Sequence, residues 1–411
     1  MLRDSQRNYQ VNYNPIFVVL AVAIICFATV RNGNHQYTIN IWLTVILADL
    51  IALFVAFNTK KIKLNIYNLV MIAVVFLITF AQKMVFSGYY SFGSAINGAL
   101  LFAFFLLSIG IVVQQGYELI ILKTINAFNM LGAITIIVQM LFKYVGVRLD
   151  KYGIVSEFLF NAWEFTDVFR PCGIFSEPSH FSEMMLISVF YYLYIEKKNS
   201  RLVILGLSLL FSTSSLGIIG FGFLVALRFI EFDRFLRLGI GLKILIIGIG
   251  CALIVMVLFM IQKSGNSNWL VDRMLSGSSF SVRVTRSFEI FKDMNWHQKL
   301  IGLGIQNQEK FLNYYYIVLP SDTYETATTN REFAQTTGYI LCTMGIVGFC
   351  AFILPLVKLF MNKTKTVRCF IFLFIYITSF CCIFSRSIFF MYFVALYAVA
   401  GIDGGVKDAS K

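Results

Sequence analysis

Residues 336–357 read TTGYILCTMGIVGFCAFILPLV, and this stretch decides what kind of chain this is. It holds no charged side chain, and a helix crossing a bilayer needs about 20 mostly apolar residues. Working outward, similar runs occupy 15–30, 37–57, 66–82, 96–113, 124–147, 180–195, 202–214, 216–230, 239–262, 368–385 and 387–402. Four polar residues, Ser212, Thr213, Ser214 and Ser215, separate the two shortest runs. They predict a tight helical hairpin, with one long kinked helix as the alternative. Of 411 residues, 58% are hydrophobic and 13% are charged, and the mean hydropathy is +0.77. Soluble domains are about a quarter charged. This composition excludes a water-soluble globular enzyme and a disordered or nucleic-acid-binding chain. The expected fold is an all-α polytopic membrane protein of about twelve transmembrane helices, forming one domain over 1–411.

The net charge of +13 fits loops anchored at a membrane surface. With a cytoplasmic N-terminus, more than half of the 34 Lys and Arg fall in short inner loops or tails. Most of the others lie in two long outer segments, 143–179 and 263–335. Long loops translocate largely regardless of charge, so both termini are expected in the cytoplasm. The first run follows a polar start and no A-x-A-like site follows it, so it is expected to remain as a span. His35, His180 and His297 all fall on the outer side in this arrangement. The eight cysteines show no CxxC spacing, so neither a disulfide framework nor a zinc site is expected.

The first long loop ends in Arg170-Pro171-Cys172-Gly173-Ile174-Phe175-Ser176-Glu177-Pro178-Ser179-His180. Proline and glycine between the arginine and the glutamate describe a folded loop. Pro178 suits a helix start, which puts Glu177 at the positive end of that helix. Arginine grips phosphate through paired hydrogen bonds, and a carboxylate at the membrane boundary can serve as a general base. The plainer alternative is that Arg170 and Glu177 pair to pin the loop.

The second loop contains Ser281-Val282-Arg283-Val284-Thr285-Arg286-Ser287-Phe288-Glu289-Ile290-Phe291, then Trp296 and Gly302-Leu303-Gly304. Arg283 and Arg286 share a helix face at this spacing. The segment reads as an interfacial helix presenting cations, or as an amphipathic helix held by anionic lipid. The sequence has no HExxH, P-loop or DxD, so no metal and no nucleotide cofactor are expected. Asp49 is the clear acid within a span, and such a residue is either functional or a hydrogen-bonder inside the bundle.

The run from Arg170 to Ser179 resembles the R-x-x-G-x-F-x-E-P-S segment of the bacterial O-antigen and capsule polymerases, the Wzy family, which is related to the O-antigen ligases. Ser281-x-Arg283 with Gly302-Leu303-Gly304 is similar to that family's S-x-R…G-x-G. Met344-Gly345-Ile346-Val347-Gly348 is similar to its G-hydrophobic-hydrophobic-G. The resemblance implies a GT-C-like, metal-independent membrane glycosyltransferase at the outer face of the inner (cytoplasmic) membrane. Donor and acceptor would be oligosaccharides on undecaprenyl pyrophosphate, with membrane lipids and a chain-length regulator protein as further partners.

Within that chemistry Arg170, Arg283 and Arg286 are the expected pyrophosphate contacts. Glu177 is the first choice of general base and His180 the second. Tyr314, Tyr315, Tyr316 and Trp269 either stack on sugars or belong to an interfacial aromatic belt. Two rivals stand beside the polymerase. A flippase for the same lipid-linked glycan would place cations within the spans, and here Lys143, Lys243 and Arg386 sit only at span ends. A ligase is expected to carry a histidine before the G-x-x-G run, where this chain has Ala334-Gln335-Thr336-Thr337.

Overall fold

A computed structural model describes residues 15–30, 37–59, 66–114, 117–153, 156, 159–165, 168–229, 285–319, 335–381 and 387–408. The expected span 239–262, together with Arg283 and Trp269, lies outside the described residues. The helices in chain order begin with α1 (Pro15–Val30), α2 (Tyr37–Thr59), α3 (Ile66–Val85), α4 (Phe92–Gln114) and α5 (Glu118–Tyr144). Next come α6 (Pro178–Phe190), α7 (Asn199–Phe211) and α8 (Ser215–Phe229). Three short helices follow, α9 (Arg286–Asp293), α10 (Trp296–Ile301) and α11 (Gln308–Tyr314). The chain closes with α12 (Thr336–Asn362), α13 (Lys365–Phe380) and α14 (Ser387–Asp408). Among the described residues three segments are helical, long and apolar enough to cross a membrane: Ile66–Val85, Leu119–Tyr144 and Thr336–Met361.

The chain is not all-α. The first long loop folds into an antiparallel ribbon of β1 (Asn161–Phe165) and β2 (Val168–Gly173), with Arg170 opposite Trp163. Pro171 is tolerated because each strand of a two-stranded ribbon is also an edge.

Helix α6 is the pillar of the bundle. Every residue in it except Ser179 is buried, as expected of a helix apolar on all sides and enclosed by neighbours. It packs on α5, α7, α8, α13 and α14. Small residues permit the close approach of α8, a common device between helices in lipid. A Cβ on Gly217 would lie 2.5 Å from Ser182 Oγ, and one on Gly220 would lie 2.6 Å from Leu186 Cδ1. After Phe190 the helix widens into a π-turn over Tyr191–Ile195.

Helices α7 and α8 form the hairpin rather than one kinked helix. Leu209 meets Gly217, and Phe221 meets Gly206, across the turn at Ser212–Ser214. At 13 and 15 residues, these helices are each only about 20 Å long.

Contacts sort the connecting segments between two ends. At one end Asn307 bonds Ser91, Arg170 bonds Thr213, and Thr336 bonds the carbonyl of Cys381. At the other, Lys365 reaches the carbonyl of Arg228, and Lys363 that of Ala400.

Candidate functional site

The ribbon and the start of α6 present the first cluster, and its middle residues are anchors. Gly173 has φ +58, and a Cβ there would sit 2.4 Å from Thr135 Oγ1, so glycine is required. Its N–H donates to Gln139 Oε1 at 3.2 Å. Phe175 is fully buried against Phe128 and Phe181, with ring centroids 6.3 and 5.4 Å away. With Gly173 and Phe175 locked into α5 and α6, Arg170 and Glu177 flank the anchor, each only partly buried.

The Arg170 guanidinium donates from Nε to Thr213 Oγ1 at 3.0 Å and from Nη2 to the Thr213 carbonyl at 3.2 Å. Thr213 has φ +52, an unfavourable conformation for a β-branched residue. The arginine therefore grips a strained hairpin tip through two parallel donors.

Glu177 sits at the N-cap of α6 with extended backbone. Ser179 Oγ donates to its Oε2 at 2.9 Å, and His180 Nε2 lies 4.0 Å from the same oxygen. The carboxylate thus takes its hydrogen bond from Ser179, with His180 close by, and among the described residues no loop-pinning pair with Arg170 is seen. Glu177 keeps 31% side-chain exposure against 5% for His180. The imidazole Nδ1 shares a hydrogen bond with Ser176 Oγ at 2.9 Å. The geometry places His180 beside Glu177 with its ring enclosed. Its Nδ1 is engaged with Ser176, and its Nε2 faces the carboxylate.

The second cluster joins two distant stretches. Leu303 N–H donates to the carbonyl of Cys342 at 2.8 Å, and Gly304 N–H to that of Thr343 at 2.9 Å. Gly302 (φ +81) and Gly345 (φ +66) face each other so closely that a Cβ on either would meet backbone at 2.3 Å. Helix α12 is therefore broken at Gly345 rather than continuous. Gln82 Nε2 reaches the carbonyls of Ile301 and Thr343 at 2.6 and 3.0 Å, serving acceptors near the break.

Arg286 differs from Arg170 in its surroundings. It opens α9 but is 0% exposed, so it does not present its charge at an interface. On the same helix Ile290 is buried, whereas Phe288 is 57% exposed. Ser287 Oγ donates to Gln335 Oε1 at 3.0 Å, fixing α9 to the start of α12.

The two clusters share one wall of the bundle. Tyr392 Oη donates to the carbonyl of Glu183 at 2.6 Å, and its ring lies 6.3 Å from Phe374 of α13. Cys381, just past α13, accepts from Thr336 N–H and Oγ1, and Gln335 precedes it beside Ser287.

Sequence reasoning missed Glu183. It is 2% exposed within α6. Its signal was available, an acid inside an apolar run three residues after His180. Asp49 takes a hydrogen bond from the Ser108 hydroxyl. The aromatics Tyr314, Tyr315 and Tyr316 are exposed, the first two beside Tyr89, and Trp296 stacks on His297 with centroids 3.5 Å apart.

The fold and the polar end define a mostly helical chain with membrane-length helices and a glutamate–arginine loop held at one end of the bundle. No protein-family model matches the sequence, and no curated protein does so.

Proposed function

We propose that the protein is a polymerase of lipid-linked oligosaccharide repeat units, working at the outer face of the cytoplasmic membrane. In this scheme about twelve spans cross the bilayer, both termini are cytoplasmic, and 143–179 and 263–335 face outward. The acceptor hydroxyl attacks the anomeric carbon of the growing glycan. The new C–O bond forms as the bond to the pyrophosphate oxygen breaks, and undecaprenyl pyrophosphate leaves with the electron pair. Glu177 takes the hydroxyl proton. Ser179 holds one carboxylate oxygen, leaving the other to meet the acceptor. Arg170 and Arg283 stabilise charge on the leaving diphosphate by paired donation. Arg286, being buried, orders α9 in this scheme.

The observation that carries the proposal is the direct backbone pairing of Leu303 and Gly304 with Cys342 and Thr343. It brings together two of the three stretches similar to the polymerase family, at the same end as the third. A deletion strain is the test. Surface glycan reduced to a single-unit band agrees with a polymerase, whereas loss of all surface glycan, including that band, points to a flippase.

A further inference from the structure

The end of the bundle opposite Glu177 holds a cleft of about 670 Å³ between α5, the π-turn and α7. Its lining changes character along α5. Lys123 stands at the mouth, Asn126 one turn deeper, and Met130, Leu131 and Ile134 beyond. Leu131 and Ile134 are 50% and 46% exposed. Arg201 faces the mouth from α7, donating to Tyr192 Oη at 3.0 Å and lying 5.1 Å above that ring.

Asn126 is the telling residue. It is 2% exposed, and its Nδ2 finds no hydrogen-bond partner among the described residues. Its orientation is fixed by a chain of donors. Asn129 Nδ2 donates to the Met184 carbonyl and to Ser188 Oγ, both at 2.8 Å. The Ser188 hydroxyl must therefore send its own proton to Asn126 Oδ1, at 2.6 Å. That leaves Nδ2 as a buried donor without a partner in a residue that lines the cleft, and such a donor is costly unless something accepts from it.

Among the described lining residues the one carboxylate, Glu196, is already neutralised. Lys198 and Arg201 lie 3.3 and 3.5 Å from its Oε2, and Tyr191 Oη donates to Oε1 at 3.1 Å. The mouth is therefore left cationic by Lys123 and Arg201.

We propose that this cleft binds an anionic glycerophospholipid of the surrounding bilayer. Its phosphate sits between Lys123 and Arg201, its ester carbonyl accepts from Asn126 Nδ2, and an acyl chain runs along Met130, Leu131 and Ile134. The spacing fits: at about 1.5 Å per residue, Asn126 lies roughly 4.5 Å below Lys123 along the helix. That is close to the separation of phosphate and ester in such a lipid. The bound lipid would press on the π-turn, the far end of the helix that starts behind Glu177. The site stands whether or not the polymerase assignment does.

The test is native mass spectrometry of the full chain in mild detergent. It is offered phosphatidylglycerol and phosphatidylcholine of identical chains. Phosphatidylglycerol should be retained in preference, and Asn126→Leu should lower its retention about 3- to 10-fold. The surface pair Lys123→Gln/Arg201→Gln should lower it at least as much without affecting thermal unfolding. Excess glycerol phosphate should not displace the lipid. Equal retention of both lipids, or unchanged retention in the surface double variant, overturns the proposal. So does displacement by glycerol phosphate, which would make the site one for a soluble phosphate.

Discussion

Arg170 and Arg286 both belong to loop segments gathered at one end of the bundle, yet the protein treats them differently. Arg170 is partly exposed and spends its donors on Thr213, a strained turn. Arg286 is wholly buried at the first turn of α9. A guanidinium holding a turn near solvent can exchange those bonds for phosphate oxygens. One sealed inside the loop cannot do so without the loop opening. The difference teaches that an arginine in a suggestive motif gains a chemical role only from its exposure and partners. Glu177 and His180 repeat the lesson one helical turn apart, the first accessible and the second enclosed.

The largest effects should fall on the exposed partner of each pair. On the proposed mechanism Glu177→Gln keeps the shape and removes the base, so chain extension should be abolished while membrane abundance on a blot stays normal. Arg170→Lys keeps the charge but loses the fork. Extension should fall by about 30- to 1000-fold, corresponding to roughly 2–4 kcal/mol of lost charge stabilisation. The comparison breaks if Arg286→Lys instead impairs extension in a normally folded protein while Arg170→Lys does not.

A structural counterpart is expected at the break in α12. Gly345→Ala forces a Cβ into the carbonyl of Leu300 at positive φ. Thermal unfolding in detergent should show a loss of at least about 2 kcal/mol. Gly222→Ala, where a Cβ meets nothing, is the control and should leave stability unchanged. Next, His180→Gln should slow extension by roughly 10- to 100-fold through misplacement of Glu177. It should also shift the pH profile less than a change of the base itself would.

The smallest effect concerns Asp150. Burial acts against its charged form. Arg148, bonded to both carboxylate oxygens at 2.9 and 2.6 Å, outweighs that and holds the carboxyl below its ordinary value. A carboxyl lowered in the folded state stabilises above the ordinary carboxylate range and loses that contribution as pH falls through its folded value. Proteolysis of the first long loop should therefore rise slightly as pH drops below about 4. Arg148→Gln should flatten that dependence.

Much of the helical layout could be read from the apolar runs, because a membrane-length helix advertises itself by uninterrupted hydropathy. The α7–α8 hairpin was legible in Ser212–Ser215, and the fixed loop in Pro171, Gly173 and Pro178. Other features depend on partners remote in sequence. The ribbon needs 161–165 to meet 168–173, and a short two-strand pairing leaves little trace beside strong apolar runs. The break at Gly345 exists because Gly302 arrives there from another segment. The burial of Arg286 is set by α9 docking on α12, which helix periodicity alone cannot foresee. Glu183 was legible as an acid within the apolar run, and its burial follows from the neighbours that enclose α6 on all sides.

The most direct test of the central claim is the length distribution of surface glycan in a deletion strain carrying wild-type protein or Glu177→Gln at equal membrane abundance. The polymerase account predicts a full ladder for the wild type and a single-unit band for the variant. A ladder of near wild-type length from Glu177→Gln would contradict it.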